Sequence, residues 1–285
     1  MSKSGFRTAL TRGITRSLLA AWQKADEPTR QRDGLRLLNE LTALLREQQS
    51  ELMLAGLLIY HADLLAKSGD ISATDACWKE QEMLARKLDR RDLLAAGLGK
   101  QAIHHAAREE YSEAQRLSAE CADIYSALGN EEMTAESQKM QRKYTLALAV
   151  NSSQAKDFIT AIQHARELEK LAQRDHDRSD ATEALSLQLI SERSLQNLTA
   201  AMRICERMDE FWDDMQPLQQ AFHLNDKGGL LGMLGRPSEG LPLAVQSLEI
   251  AGRLGNPALS SALQKVVVAL ESAIKGQNES KAEDW

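Results

Sequence analysis

Adjacent histidines at 104 and 105 are the first residues whose types could do chemistry, since two imidazoles can share a metal or pass a proton. Successive side chains on a helix diverge by about 100°, so the pair cannot easily meet one ion, and one partly buried and one solvated ring is the expected arrangement. Asp209, Glu210, Asp213 and Asp214 set carboxylates four residues apart, a spacing that could meet a cation. Phe211 and Trp212 interrupt them as structural residues would, which favours a solvated helix end. Gly97-Leu98-Gly99-Lys100 resembles a phosphate loop in outline, but it lies in an apolar helical stretch without the strand such a loop follows. Ser272 and Lys275 form an isolated SxxK. Cys77, Cys121 and Cys205 are far apart, odd in number and without a CxxC pair, so small core thiols in a reducing compartment are expected. There is no GxSxG elbow, P-loop, HExxH or dinucleotide fingerprint. The sequence therefore predicts no enzyme, with no catalytic, cofactor-binding or metal-binding residue and no cofactor.

The elements that carry these residues follow from composition. Aromatics are 4% of 285 residues and prolines number five, in a chain rich in Leu and Ala. These residues favour helix, where they lose little side-chain freedom, while the strand formers are scarce. Net charge is −6 with a pI of about 5.6, a balance that argues against direct nucleic-acid binding. Lys3, Arg7, Arg12, Arg16 and Lys24 make the opening segment basic. That segment reads either as an organelle transit peptide or as a first helix with Phe6, Leu10, Ile14 and Leu18 near one face; the helix is favoured because it would complete a first repeat. No uncharged apolar run approaches the roughly 20 residues of a membrane span.

A recurring element organises the chain. A Gly or polar residue and a second polar residue precede a bulky one, and a small residue follows three later. The copies are Gly69-Asp70-Ile71 with Thr74, Glu109-Glu110-Tyr111 with Ala114, Lys156-Asp157-Phe158 with Ala161, Gln196-Asn197-Leu198 with Ala201, and Gly235-Arg236-Pro237 with Gly240. The bulky positions are separated by 40, 47, 40 and 39 residues. The pattern is that of a helix–turn–helix: the polar pair turns the chain, and the small residue lets the second helix approach the first. Pro217, Pro237 and Pro257 lie 20 apart, half a repeat, as expected if each opens a helix. Leu128-Gly129-Asn130 and Leu254-Gly255-Asn256 read as helix stops followed by new helices. Pro242 is tolerable if its helix begins near Ser238, which would leave it close to the first turn. The 47-residue interval adds two helical turns, predicting a long helix from about Glu131 to Asn151 whose charged first half projects beyond its neighbours.

Gly235-Arg236-Pro237-Ser238-Glu239-Gly240-Leu241-Pro242-Leu243, continuing to Ser247-Leu248-Glu249-Ile250-Ala251, resembles the long-repeat branch of the tetratricopeptide superfamily, which includes kinesin light chain and the sensor regions of signal-transducing ATPases. The resemblance implies an all-α, right-handed solenoid of about six antiparallel helix pairs. The repeats would cover 6–48, 50–89, 91–128, 130–174, 178–213 and 216–254, with a cap at 257–275. These form one domain over 1–275, and a disordered acidic tail follows at 276–285. With the family's phasing, the first helices would line a concave groove through Ile59, Asp63 and Lys67, then Ile103, then Lys143, Leu146 and Val150, then Ile190 and Arg193. Some relatives hold a terminal carboxylate with a Lys/Asn/Arg clamp, but Asp63, Ile103 and Val150 stand at the asparagine positions, so that clamp is absent. The implied role is a cytoplasmic, non-enzymatic scaffold, adaptor or regulatory subunit that binds a segment of another protein. The alternatives are a peptide or small-molecule sensor acting in trans on transcription or signalling, and an organelle-imported assembly factor. Trp285, behind two acids, could be a docking peptide.

Overall fold

The structure, a computed structural model, describes the backbone of residues 27–283 and the side chains of 32–279. The basic opening segment and Trp285 lie outside the described residues. Among those residues the chain is all helical, without strands, and its helices pack consecutively in pairs. They are α1 (Glu27–Glu47), α2 (Glu51–Ser68), α3 (Ile71–Lys87), α4 (Arg91–Ala107), α5 (Tyr111–Ala127), α6 (Glu131–Gln154), α7 (Phe158–Arg174), α8 (Arg178–Ser194), α9 (Leu198–Met208), α10 (Pro217–Met233), α11 (Pro237–Arg253) and α12 (Pro257–Glu283). A 3₁₀ segment, Asp209–Asp214, follows α9.

The turns explain the rhythm. Gln49, Gly69, Asp89, Glu109 and Gly129 all have positive φ, at steps of twenty residues; so do Lys156, His176 and Gln196, and then Gly235 and Gly255. Each closes a helix in the left-handed conformation. The next amide reaches back to an orphan carbonyl, as in Asp70 N–H to Leu65 O (3.2 Å) and Asp177 N–H to Ala172 O (2.8 Å). The following residue then caps the next helix. Asp70, Asn130, Asp157, Asp177 and Asn256 each accept a backbone N–H on their side chains. Six of these ten left-handed positions are not glycine, so the register is kept by the pairs they connect rather than by turn propensity alone.

The recurring sequence element sits at these turns. Ile71, Tyr111, Phe158, Leu198 and Pro237 are each the first residue of a second helix. The small residue three later is buried in every copy: Thr74, Ala114, Ala161, Ala201 and Gly240. Gly240 shows why size matters, because a Cβ there would lie 2.4 Å from the Gly228 carbonyl oxygen across the α10–α11 contact. Among the described turns, the one without a left-handed residue is at Gln216, which is extended, as the following Pro217 favours, and donates its backbone N–H to Gln219 Oε1 at 2.9 Å.

The chain divides into two compact units, Met1–Gln141 and Arg142–Trp285, with the division inside α6. In the first unit Leu54, Ala55, Leu58, Cys77, Trp78 and Leu84 form a core, and α2 also touches α4, so first helices lie side by side. In the second, Leu185, Leu189, Met202, Cys205 and Leu230 form a core, and α10 touches α12. Each such buried leucine contributes roughly 1.5–3 kcal/mol.

Three elements refine the sequence reading. α6 has 24 residues against 17 in α4, α5, α7 and α8, so the seven extra residues lie in the helix, and residues 131–136 are largely exposed. Its burial begins at Ser137, earlier than a wholly solvated first half would allow. Pro242 stands inside α11, which starts at Pro237, next to the expected Ser238. The carbonyl whose helical donor it lacks belongs to Ser238, and both residues are exposed, so that carbonyl is within reach of solvent. α12 runs to Glu283, past the expected end at 275 and through most of the segment expected to be disordered. No proline stops it, Lys275 pairs with Glu279 at i,i+4, and Gln277 Nε2 donates to Gly235 O at 3.2 Å.

Candidate functional site

The first-helix face of the first unit centres on Asp63. Tyr60, Asp63 and Lys67 fall on one face of α2, and Lys100, Ile103, His104 and Ala107 on one face of α4, by i,i+3/i+4/i+7 spacing. The faces meet at the carboxylate: Lys67 Nζ is 3.0 Å from Asp63, His104 Nε2 is 3.2 Å away and Lys100 Nζ 4.0 Å. The His104 imidazole first, and then Lys67 and Lys100 against the opposing effect of burial, hold the Asp63 carboxyl far below the usual carboxylate range. Asp63 therefore sits between two ammonium groups and the His104 ring. Beside it, Tyr60 is 53% exposed and Ile103 45%.

Ile59 does not join this face. It is 9% exposed and packs in the core, because the open position lies one residue further round α2, at Tyr60. His104 and His105 are both partly buried, where one partly buried and one solvated ring was expected. His105 Nδ1 lies 2.5 Å from Glu110, while the His104 ring is tilted against Trp78 at 6.0 Å. Gly97 is a packing glycine, facing Gln81 across to α3.

In the second unit Lys143 is exposed, and Leu146 and Val150 are half-buried against Ala149, Ala165 and Leu187. Ile190 stands on α8 at 41% exposure, and Arg193 is held by Asp226. Next to Lys143 lies a residue the charge pattern had placed on a solvated helix half. Arg142 is 8% exposed and clasped by three carboxylates: Asp175, Asp177 at 2.8 Å and Asp180 at 2.7 Å. Asp177 also caps α8 through Asp180 N–H at 3.0 Å, so the clasp ties α6 to the α7–α8 turn. Burial pushes the Asp175 carboxyl up, but Arg174 and Arg142 outweigh it and leave the group below its ordinary value. Nearby, buried Glu169 accepts from Gln188 Nε2 at 2.8 Å and from Arg207.

The acidic cluster at 209–214 is exposed at all four carboxylates, as a solvated helix end would be, and two of them are also partnered. Asp209 lies 2.8 Å from buried His223 Nε2 and 2.5 Å from Lys227 Nζ, and Arg178 bonds Asp214 at 2.6 Å while stacking over Phe211. The three cysteines are free, buried and on second helices. Among the described residues, no group of three or more His, Cys, Asp or Glu residues could hold a metal ion, and no helix is long and apolar enough to cross a membrane.

Phasing by the repeat alone missed Tyr60, Lys100 and His104. Lys100 was within reach, since it precedes Ile103 by one helical turn. For Arg142 the signal was Asp175, Asp177 and Asp180 crowded into one turn, more carboxylates than a cap requires.

No family model matches the chain, and no curated protein matches it. Among solved structures it is similar to the crystal structure of BtubC (BKLC) from P. vanneervenii, with a TM-score of 0.41 and 16% identity over 81% of this chain and 94% of that one.

Proposed function

We propose that the chain is a non-enzymatic scaffold or adaptor that holds a segment of another protein against its first-helix faces. The observation that carries the reading is the pair Ile103 and Ile190. They stand at one register of the repeat, on first helices, exposed by 45% and 41%. Charged residues stand beside both and are held in place by ion pairs, Asp63 with Lys67 and Arg193 with Asp226. A helix face that leaves β-branched residues in water suits the apolar side of a docked segment. The three free thiols support a cytoplasmic setting for it.

A photocrosslinking side chain placed at Ile103 or at Ile190 in the native cells tests this. Stoichiometric capture of one partner is expected there, and little from Met83 or Ile159, which are as exposed but lie on second helices. Equal capture from all four positions would overturn it.

A further inference from the structure

The first unit's face has a chemical preference built into it. Lys67, Lys100 and His104 surround one carboxylate, Asp63. One anion cannot balance two ammonium groups, and both lysines keep nearly half their side-chain surface in water. Lys100 stands at 4.0 Å from Asp63, the edge of an ion pair, so its donors have room for a second acceptor. The other carboxylates on α2 and α4 are engaged elsewhere, Glu51 with Lys87 and Asp92 with Arg90, and beside these helices Asp75 and Glu110 are held by Arg108. Tyr60 and Ile103 flank the cations with exposed apolar surface.

We infer that the α2–α4 face selects an acidic peptide segment that also carries apolar side chains, its carboxylates on Lys67 and Lys100 and its apolar residues on Ile103 and Tyr60. This rests on the docking role proposed above and names the partner's chemistry. A charge-complementary face of this kind fixes orientation and speeds encounter, and its contribution weakens with salt.

The test uses the full chain and three labelled peptides of about ten residues, the length an extended segment needs to cross two helices. One alternates Glu with Leu, one Lys with Leu and one Glu with Ser, and binding is read by fluorescence anisotropy. The Glu/Leu peptide should bind tightest and weaken as salt rises. Lys67→Glu with Lys100→Glu should cost about tenfold or more in affinity. Ile103→Ser should weaken it as well, and Lys265→Glu on α12 should change nothing. Circular dichroism confirms that each variant is folded, and Lys100→Gln repeats the measurement with the smaller change. Failure of the Glu/Leu peptide to bind, or binding indifferent to both lysine substitutions, overturns the inference. Preferential binding of the Lys/Leu peptide that still depends on Ile103 also overturns it, while leaving the docking role intact. If no peptide responds to Ile103→Ser and crosslinks from Ile103 are also absent, both fall. Preference for a single-stranded oligonucleotide over the Glu/Leu peptide would count against it equally.

Discussion

The two units spend their polar residues differently on one helical plan. In the first, one charged cluster stays at the surface: Lys67 and Lys100 keep nearly half their side chains in water around the partly buried Asp63 and His104, while the core beneath is Leu, Ala and Trp78. There His61 is buried with neither ring nitrogen partnered, and the Trp78 indole N–H is likewise alone. In the second, charge is taken inside and paired. Arg142 is closed by three aspartates, Glu169 by Gln188 and Arg207, and His223 by Asp209. The contrast separates two uses of charge in a repeat protein. A surface cluster adds little stability because water screens it, yet it remains available to a partner. A buried cluster specifies how adjacent repeats fit and offers nothing to a ligand.

The sharpest way to break this comparison is at Arg142. Arg142→Ala leaves Asp175, at 7% side-chain exposure, without its buried partner, an uncompensated charge that costs on the order of 3–5 kcal/mol. Asp63→Ala removes a carboxylate from a more open cluster and should cost about 1 kcal/mol or less. Chemical denaturation of both variants measures the difference. Equal losses would mean that the two clusters are not different in kind. Acid extends the test, since the folded Asp175 carboxyl lies below its unfolded value. Its contribution is therefore complete above the ordinary aspartate range near pH 4 and disappears as pH falls through the lower folded value.

How much of this could be read from residues alone depends on whether a feature repeats. The left-handed turns, the Pro217, Pro237 and Pro257 starts and the small residues from Thr74 to Gly240 follow from local backbone physics that recurs in each pair, so spacing exposes them. The seven residues added to α6 were visible for the same reason. Arg142 was hidden because its partners lie more than thirty residues away, and a mostly charged helix half looks solvated whichever single residue turns inward. Ile59 went astray by one position, which on a helix is 100° and separates core from surface. Past residue 275 a polar composition suggested disorder, but helices tolerate exposed Lys, Glu, Gln and Asn, and only a break in backbone chemistry would have ended α12.

His61 offers a smaller effect, confined to the first unit. Burial, with the nearby Arg46 guanidinium adding to it and Glu80 opposing, lowers the imidazole below its ordinary value. The folded state thus binds its proton less readily than the unfolded chain, and stability falls as pH drops below the ordinary histidine value toward the folded one. Hydrogen exchange of the full chain, divided by the intrinsic amide rate at each pH and compared at about pH 7.5 and about pH 5.5, should quicken in α2 and α3 at the lower value, and His61→Leu should remove the change. Acceleration that persists in His61→Leu would assign it to another group.

The smallest effects belong to what the units share. Gln49 in the first and Gln196 in the second hold φ of 54° and 61°, left-handed values that cost an L-residue roughly 1–2 kcal/mol. Glycine removes that penalty but adds unfolded-state entropy of about 0.5–1 kcal/mol. Both side chains are exposed, so little packing is lost. Gln49→Gly and Gln196→Gly should therefore each stabilise by some tenths of a kcal/mol up to about 1 kcal/mol. Gly129→Ala, at φ 68°, should destabilise by a comparable amount. Thermal denaturation of the three variants reads both signs. A gain in one unit alone would place the difference between them in the turns themselves, because the same backbone geometry would then carry unequal strain. Equal gains would leave the placement of charge as what distinguishes two halves built on one twenty-residue rhythm.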